Sequence, residues 1–166
     1  MQDSIKKILK KIKLAVFDVD GVLTDGRLYY GPNGEELKVF HVHDGHGLKA
    51  LQQAGIEVAI ISGRDCEALK VRLKELGIMH TYLGQKQKIP ALESLLQTTK
   101  LTHEQVCYSG DDIPDIEPMQ KAAFTFAPAN AVIEVREIAD YICNKKGGEG
   151  AVREICDVIL SAQLAD

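Results

Sequence analysis

The chain has 166 residues, a length that suits one domain with a sizeable hydrophobic core. Hydrophobic residues make up 45% of the chain and charged residues 27%, which is ordinary for a soluble globular protein. The net charge of −4 and the lack of tryptophan argue against a nucleic-acid-binding protein, because such proteins need basic patches and stacking aromatic rings. We therefore expect a single domain over residues 1–166 without a nucleic-acid partner.

The first predicted element is an amphipathic helix over residues 1–12. Its apolar residues Ile5, Ile8, Leu9 and Ile12 recur at helical spacing, with lysines between them. Docking on its own domain is the favoured interpretation, and binding to a membrane surface or a partner is the alternative. The segment lacks the apolar core of a signal peptide, and no stretch reaches the ~20 apolar residues of a membrane helix.

A short apolar run at residues 14–17 predicts a central strand that is buried on both faces. Asp18 and Asp20 follow it, and Gly21 lets the chain turn. The carboxyl ends of strands in open α/β sheets border the ligand crevice, so a carboxylate there can attack phosphorus while a second one transfers the proton. A strand that simply ends in an Asp-Gly turn is the alternative for this tetrapeptide.

A β-hairpin is predicted over residues 27–42, directly after the first strand. Two runs rich in aromatic and aliphatic residues flank residues 31–34, where Asn33-Gly34 is a strong hairpin signal. The hairpin is too short to form a domain and too apolar to stand alone in water. We therefore expect it to serve assembly with another subunit.

Strands and helices alternate through the rest of the chain. One helix is predicted at about 45–54, with Asp44 as its N-cap, and a second runs from its N-cap Asp65 to Gly77. The apolar face of the second helix consists of Leu69, Val71, Leu73 and Leu76. A third helix ends at about residue 97, and a last one covers about 150–162. Strands are predicted at 56–61, near 82–83, and at 105–109, 122–126 and 141–143. This alternation predicts an α/β fold with a doubly wound, Rossmann-like parallel sheet and the hairpin inserted after the first strand.

Polar residues follow three of the predicted strands, and two lysines open the helix between the last two. These residues are Asp18 and Asp20, Ser62-Gly63-Arg64, Gly110-Asp111-Asp112, and Lys86 with Lys88. Each group alone is explained by a turn or by a solvated first helical turn. In a doubly wound sheet all of them converge on one edge, so together they predict one site.

The candidate residues divide by charge into two sets. Asp18, Asp20 and Asp111 offer the oxygen ligands that a hard divalent cation such as Mg²⁺ prefers. Donors and positive charge for phosphoryl oxygens come from Ser62, Lys88 and, as a further candidate, Arg64. Since a carboxylate nucleophile repels a phosphate dianion, the cation and the lysine are needed to offset that repulsion. The set predicts phosphoryl transfer through an aspartyl-phosphate.

The cysteines and histidines do not form a recognisable metal site. Because the cysteines are widely spaced and lack a Cys-x-x-Cys pair, we expect free thiols in a reducing cytosol at Cys66, Cys107, Cys143 and Cys156. The spacing of His41, His43 and His46 fits no common zinc pattern. We expect these histidines to contact substrate or solvent, with a transition-metal site as the alternative.

Four segments resemble the haloacid dehalogenase superfamily of phosphatases, and the resemblance extends from about residue 12 to about residue 162. They are the Asp-x-Asp-Gly-x-x-Thr-Asp-Gly stretch at 18–26, Ser-Gly-Arg at 62–64, Lys88, and Gly-Asp-Asp-x-x-Asp at 110–115. The hairpin, residues 34–38 and residues 147–154 are similar to a small capless branch that acts on 3-deoxy-D-manno-octulosonate 8-phosphate (KDO 8-phosphate). The resemblance implies that there is no separate cap domain. It also implies an Mg²⁺ cofactor and release of KDO and phosphate for lipopolysaccharide precursor biosynthesis in the cytoplasm.

The resemblance also implies a role for each acidic residue. Asp18 would be the nucleophile and a metal ligand. Asp20 would be the general acid/base and would lend its backbone carbonyl to Mg²⁺. Asp111 would be the remaining carboxylate ligand, and Asp112 and Asp115 would steady the site from behind these ligands.

For the substrate, the resemblance implies that Ser62 hydrogen-bonds the phosphoryl group and that Lys88 pairs with it. Lys86 is nearby, but the family's spacing favours Lys88. Contacts to the sugar acid, partly across a subunit boundary, are implied for His41, Val42, His43, Asp44, Gly45, Lys49, Arg64 and Arg72. The resemblance further implies a homotetramer in which hairpins and tails of neighbours cover each active site.

Four positions depart from the pattern of that branch. His41, His43 and Lys49 stand where it often has Asn, Arg and Arg, and Glu149 stands where Arg or Lys is usual. These changes weaken a clamp for the sugar carboxylate, because Lys is a poorer bidentate partner than Arg and His is only partly charged. Glu149 is typical of relatives that act on nine-carbon acids, whereas Arg64 is typical of the eight-carbon branch. The eight-carbon substrate is the prediction, and KDN or sialic acid 9-phosphate is the alternative.

A phospho-acceptor signalling domain is an alternative from another class, because it also uses acidic residues, Ser/Thr and Lys on an α/β sheet. In such a domain the acceptor aspartate lies at a middle strand end, whereas the second strand here ends in Ser62 without an acid. Such a domain would hold its phosphoryl group and release little phosphate. A non-catalytic subunit is disfavoured, because a scaffold gains nothing from clustered like charges.

Overall fold

A computed structural model describes residues 3–164 of the chain, and of residues 35 and 36 it describes only the backbone. Within that range the strands are β1 (Leu14–Phe17), β2 (Tyr29–Gly31), β3 (Gly34–Leu37), β4 (Glu57–Ile61), β5 (His80–Tyr82), β6 (Val106–Ser109), β7 (Phe124–Ala127) and β8 (Tyr141–Ile142). The helices are α1 (Asp3–Leu9), α2 (Val42–Gln53), α3 (Glu67–Leu76), α4 (Lys88–Thr99), α5 (Ile116–Lys121), α6 (Ile133–Ile138) and α7 (Ala151–Leu164). Short 3₁₀ helices lie at His103–Gln105 and Ile113–Asp115.

A parallel sheet with the strand order β5-β4-β1-β6-β7-β8 forms the centre of the fold. All four residues of β1 are fully buried, because β4 and β6 pair with it on either side and helices cover both of its faces. Ala15 and Phe17 pack with residues of α1, α2, α3 and α7, while Leu14 and Val16 pack with residues of α4, α5 and α6. The predicted doubly wound α/β fold is confirmed, and no separate cap domain lies within residues 3–164.

Strands β2 and β3 form the predicted hairpin as a separate antiparallel pair. Gly34 adopts a φ of 113°, a conformation that favours glycine, at the turn between the strands. Tyr30 is 63% exposed and Leu37 is 62% exposed, so the hairpin presents apolar area to its surroundings. The two strands lie within residues 29–37, a shorter range than the predicted 27–42, and α2 begins at Val42.

Helix α1 packs against α7 at the far end of the chain. Gln163 of α7 donates a hydrogen bond of 2.9 Å to the backbone oxygen of Leu9, and Leu9 and Ile12 are fully buried, whereas Ile8 is 37% exposed. Residues 1 and 2 of the predicted helix lie outside the described residues. None of the helices in the described range is long and apolar enough to cross a membrane.

Two predicted helix starts were wrong. His41, not Asp44, is the N-cap of α2, and its ring nitrogen Nδ1 accepts the backbone N–H of His43. Cys66, not Asp65, is the N-cap of α3. Sequence reasoning favoured the aspartates because Asp is a common N-cap, but Asp65 instead pairs with Lys70 at 2.9 Å.

One prediction for the apolar face of α3 was wrong, and the prediction for the cysteines was confirmed. Val71 was wrongly assigned to the apolar face of α3: it is 62% exposed, while the other three predicted residues of that face are buried. The four cysteines of the chain are free thiols, as predicted.

Candidate active site

The carboxyl ends of β1, β4 and β6 and the first turn of α4 meet at one edge of the sheet, as doubly wound topology requires. They border a cleft of about 330 Å³. Several residues singled out from the sequence line it: Asp18, Asp20, Arg64, Lys86, Lys88, Asp111, Asp112 and Asp115. Folding thus brings together residues that are up to 97 positions apart, from 18 to 115.

A buried network of side chains forms the inner wall of the cleft. The ammonium of Lys88 lies 2.8 Å from Asp18 Oδ1 and 2.6 Å from Asp115 Oδ1. The hydroxyl of Tyr108, which is fully buried on β6, donates to the same Asp115 oxygen at 3.1 Å. Asp18, Lys88 and Asp115 are each less than 10% exposed, so their charges act on one another with little screening by water.

Asp115 also organises the turn that carries Asp111. Its second oxygen, Oδ2, accepts the backbone N–H groups of Asp111 at 3.3 Å and of Asp112 at 3.5 Å. The exposed Asp112 side chain caps the 3₁₀ helix and accepts the N–H of Ile113 at 2.8 Å. Gly110 is required before this turn, since a Cβ there would lie 2.3 Å from Cβ of Asp115.

Three carboxylates in the cleft are close enough to share a cation. One oxygen each of Asp18, Asp111 and Asp115 lie within 4.8 Å of one another. Within residues 3–164, Oδ1 of Asp111 is buried and has no hydrogen-bond partner. The backbone of Gly21 makes room for this side chain, because a Cβ at Gly21 would lie 1.9 Å from Asp111 Oδ2. A group of oxygen ligands with an unsatisfied buried atom fits a hard divalent cation.

The pKa values of the residues in this cluster also favour a bound cation. Burial, together with the charge of Asp115, raises the pKa of Asp18 from its ordinary 3.8 to about 7, although Lys88 opposes the shift. Burial, followed by the charges of Asp18 and Asp115, raises the pKa of Asp111 from 3.8 to about 8. Burial alone would lower the pKa of Lys88, but the two neighbouring carboxylates outweigh it and raise the pKa. The carboxylates thus outnumber the buried positive charge, and a bound cation would offset the difference.

Asp20 also lines the cleft, and its side chain is more exposed than that of Asp18. Its Oδ1 contacts the ammonium of Lys38, and its Oδ2 lies 3.9 Å from Nε of Arg64. Nη2 of Arg64 donates a hydrogen bond of 3.0 Å to the hydroxyl of Tyr30. Both Lys38 and Tyr30 belong to the hairpin region, so the hairpin reaches into the site from the side.

Ser62 is fully buried at the end of β4, behind the wall of the cleft. Its hydroxyl accepts the backbone N–H of Arg64 at 3.2 Å, and its backbone bonds to Tyr82 and Gln85 at 2.9 Å each. Ser62 does not line the cleft itself, but the next two residues in the chain, Gly63 and Arg64, do. In the described protein Ser62 therefore shapes the turn that presents Arg64.

Most of the other predicted substrate contacts lie away from the cleft. His41 and His43 line a separate groove of about 710 Å³, together with Glu149 and Arg153. Asp44 is buried, which raises its pKa, and it accepts the backbone N–H of Arg153 at 2.7 Å at the start of α7. The structure of one chain thus separates these residues from the acidic cleft.

The remaining predicted contacts are also engaged or exposed elsewhere. Arg72 pairs with Glu75 at 2.9 Å, and its guanidinium lies 5.8 Å from the centre of the Phe40 ring. A Cβ at Gly45 would approach Nη2 of Arg72 to 2.4 Å. Val42 and Lys49 are exposed.

The glycine-rich tail, residues 144–150, packs on the loop that follows β1. A Cβ at Gly147 would lie 1.7 Å from the backbone oxygen of Gly21, and the N–H of Gly148 donates to Val22 at 3.2 Å. Glu154 holds this tail by accepting backbone N–H groups of Asn144 and Lys145 and the hydroxyl of Tyr141. The tail therefore supports the backbone that carries the acidic residues.

Sequence reasoning missed three residues of the site, namely Lys38, Tyr30 and Tyr108. Lys38 lies in the segment 34–38, for which the resemblance to the capless branch implied no role in the site. Tyr108 lies in a buried strand, where a tyrosine is an ordinary core residue. Because the hydroxyl of a buried tyrosine usually has a hydrogen-bond partner, this rule was the one available indication that Tyr108 contacts a polar residue.

Comparisons with known proteins agree with this geometry. A family model of haloacid dehalogenase-like hydrolases matches residues 82–155. The chain is 46% identical over 154 residues to the 3-deoxy-D-manno-octulosonate 8-phosphate phosphatase of Salmonella typhi, covering 93% of this chain and 82% of that protein.

Solved structures are similar as well. The Moraxella catarrhalis 3-deoxy-D-manno-octulosonate 8-phosphate phosphatase, in complex with magnesium, phosphate and KDO, is 44% identical with a TM-score of 0.94. The match covers 98% of this chain and 94% of that one. The cobalt-bound deoxy-D-mannose-octulosonate 8-phosphate phosphatase of Haemophilus influenzae is 45% identical with a TM-score of 0.92. That match covers 94% of this chain and 91% of the other.

Proposed function

Since the chain belongs to the haloacid dehalogenase-like hydrolases, we propose that it is a Mg²⁺-dependent phosphatase that hydrolyses KDO 8-phosphate to KDO and phosphate. The observation that carries this proposal is the buried contact of 2.8 Å between Asp18 and Lys88 beside a cluster of carboxylates. A carboxylate held beside an ammonium at a strand end can approach a phosphate ester despite its negative charge. The reaction would serve lipopolysaccharide precursor biosynthesis in the cytoplasm.

In the first step, an oxygen of Asp18 attacks phosphorus and forms an aspartyl-phosphate. The bond between phosphorus and the sugar oxygen breaks, and Asp20 gives its proton to that oxygen, so that KDO leaves with a neutral hydroxyl. Lys88 pairs with the phosphoryl group, and the hydroxyl of Ser62 donates to it. For Ser62 this role requires its buried hydroxyl to turn from the Arg64 backbone toward the cleft.

In the second step, the carboxylate of Asp20 takes a proton from a water molecule, whose oxygen attacks phosphorus. The bond between phosphorus and Asp18 breaks, which restores the free carboxylate and releases inorganic phosphate. The same residue thus acts first as acid and then as base, which suits its position on the partly exposed side of the cleft, where its side chain is 20% exposed.

For the cofactor, we propose that Asp18, Asp111 and the backbone carbonyl of Asp20 hold Mg²⁺, with Asp112 and Asp115 behind them. When bound, the cation neutralises charge on the phosphoryl oxygens. The buried Asp111 oxygen without a partner among residues 3–164 and the raised pKa values of Asp18 and Asp111 support this assignment.

For the sugar acid, we propose that Arg64 contacts its carboxylate within the cleft. The other predicted contacts would contribute only when a second subunit brings them to a neighbour's cleft. They are His41 and His43 of the separate groove, together with Val42, Asp44, Gly45, Lys49 and Arg72. The exposed apolar hairpin supports such an assembly, and a homotetramer is the proposed state.

The proposal is tested by measuring phosphate release from KDO 8-phosphate and from nine-carbon keto-acid 9-phosphates. We expect turnover with Mg²⁺, no turnover with EDTA, and recovery of turnover when Mg²⁺ is restored. We also expect a higher kcat/KM for the eight-carbon ester. A preference for the nine-carbon esters would move the proposal to KDN or sialic acid 9-phosphate. Activity that survives thorough chelation would contradict the Mg²⁺ requirement.

A label experiment tests the covalent step. After acid quenching of the reaction with phosphate-labelled substrate, the label should lie on the peptide that contains Asp18. Stoichiometric retention of the label without phosphate release would favour the phospho-acceptor signalling domain. A labelled peptide elsewhere in the chain would contradict the nucleophile assignment.

A further inference from the structure

The hairpin contacts the active site through both of its strands. Lys38, the first residue after β3, contacts Oδ1 of Asp20 with its ammonium, and Tyr30 of β2 accepts a hydrogen bond from Arg64 at 3.0 Å. Arg64 in turn lies 3.9 Å from Oδ2 of Asp20. The two oxygens of Asp20 are thus approached from two sides by cations that touch or belong to the hairpin region.

Burial distinguishes the Lys38 contact from an ordinary surface ion pair. The side chain of Lys38 is 1% exposed and that of Asp20 is 20% exposed, whereas Lys70 and Asp65 form a pair with 49% and 47% exposure. An exposed pair is screened and exchanges readily with water. A buried ammonium has little access to water, so it holds the carboxylate that it contacts in one orientation.

We propose that Lys38 is a positioning residue for the reaction, because its contact with Oδ1 holds the carboxyl group of Asp20 in place while the protonated group gives its proton to the leaving sugar oxygen. This inference rests on the proposed function, in which Asp20 is the acid. A general acid must lie within hydrogen-bond reach of the atom that it protonates. The hairpin is then a part of the catalytic apparatus as well as a surface for assembly.

The role of Lys38 can be separated from a purely structural one by changing the leaving group. A sugar alkoxide needs a proton from Asp20 to leave, whereas p-nitrophenolate is a stable anion that leaves without one. The value of kcat/KM reports the first irreversible step, which is phosphoryl transfer to Asp18. A disordered Asp20 therefore lowers kcat/KM for the sugar phosphate and leaves kcat/KM for p-nitrophenyl phosphate nearly unchanged.

The experiment compares wild type, Lys38→Met, Lys38→Arg and the surface control Lys70→Met on both substrates with saturating Mg²⁺. For Lys38→Met we expect kcat/KM on KDO 8-phosphate to fall by about 10²-fold, the size of effect that a misplaced catalytic group produces. On p-nitrophenyl phosphate we expect less than about a threefold change by the same reasoning. Lys38→Arg should recover most of the loss, and Lys70→Met should match wild type on both substrates.

Equal losses on the two substrates, no loss on either, or no recovery with Lys38→Arg would each overturn the inference. Urea unfolding checks that each variant is folded, and Lys38→Gln replaces Lys38→Met if the latter does not fold. Turnover by the wild type is measured first. Its absence would overturn the proposed function together with this inference, whereas wild-type turnover with equal losses in Lys38→Met would overturn the inference alone.

Discussion

The two sides of the cleft are built in different ways. The inner wall consists of side chains on or beside the central strands and α4, namely Asp18, Tyr108, Asp115 and Lys88, and these are nearly inaccessible to water. The outer wall consists of Asp20, Arg64, Lys38 and Tyr30, and apart from Lys38 its side chains remain partly exposed. The comparison shows that the group proposed to form the covalent bond is held by the core of the fold. The group proposed to move the proton is held by a hairpin.

This difference has a physical reason. Burial strengthens the attraction between Lys88 and Asp18, the proposed nucleophile, because the dielectric constant in the core is low. A residue that exchanges protons with sugar and water needs access to both, so it belongs on the open side. We therefore expect substitutions on the inner wall to change stability and activity together, with Asp18 as the informative exception.

The largest expected effect is on activity alone. Asp18→Asn should lower kcat by at least about 10⁴-fold, in line with the loss of other covalent nucleophiles. The metal-free protein should be no less stable, because the substitution removes one of the two mutually repelling carboxylates from the inner wall. Phosphate release and urea unfolding are measured on the same preparation, with Asp3→Asn on the exposed face of α1 as the control. Substantial residual turnover would remove Asp18 from its role.

Lys88→Met should destabilise the protein by about 3–5 kcal/mol, because it leaves the carboxylates of Asp18 and Asp115 buried without their cation. The matched variant Lys70→Met removes an exposed lysine from its pair with Asp65, and it should change the free energy of unfolding by less than about 1 kcal/mol. Denaturant unfolding without metal measures both. Equal effects of the two substitutions would contradict the distinction between buried and exposed charge.

Tyr108→Phe should destabilise the protein by about 1.5–3 kcal/mol, because it removes a buried hydroxyl that donates to the charged Asp115 and leaves the ring in place. Tyr30→Phe removes a hydroxyl that contacts Arg64 on the exposed outer wall, and the expected change is below about 0.5 kcal/mol. Thermal or urea unfolding of the two variants compares the walls directly. A larger loss in the free energy of unfolding for Tyr30→Phe than for Tyr108→Phe would contradict the distinction between the two walls.

A further expected effect is a dependence of stability on pH. The pKa of Asp18 rises from 3.8 to about 7 and that of Asp111 from 3.8 to about 8 on folding, mainly because both are buried. Between these values the folded state binds more protons than the unfolded state, so the free energy of unfolding falls as pH rises. The slope is on the order of 1 kcal/mol per pH unit.

Urea unfolding in EDTA at about pH 5.5 and about pH 7.5 measures that slope. Asp111→Asn should flatten it, and Mg²⁺ should stabilise the wild type more at the higher pH, where the carboxylates are ionised. A metal-free protein that becomes more stable with rising pH over this range would contradict the assigned pKa shifts.

Much of the fold follows from local patterns that the sequence displays. The run at 14–17 is buried on both faces as its uniform apolar character predicts, and polar residues after β1, β4 and β6 meet because parallel strands end on the same edge. Gly77 ends α3 with a φ of 70°, as a glycine after an apolar periodic segment indicates. The burial of β1 and the end of α3 depend on residues close together in the chain, whereas the meeting of the strand ends follows from the parallel topology.

The features that escaped prediction depend on distant partners. Asp44 was assigned to a helix start, but it is buried beside α7, where Arg153 supplies its hydrogen bond from 109 positions away. Lys38 and Tyr108 contact acidic residues of the site, and no spacing rule connects them to those residues.

The packing of the tail on the loop after β1 also bears on the order of synthesis at the ribosome. Strand β1 emerges early, but its neighbours β4 and β6 and the supporting Gly147 and Gly148 are translated much later. The backbone around Gly21 receives its last contact only when Gly148 reaches Val22. A nascent or prematurely terminated chain therefore lacks the contacts that hold the loop after the proposed nucleophile, so we expect partial translation products to have no phosphatase activity.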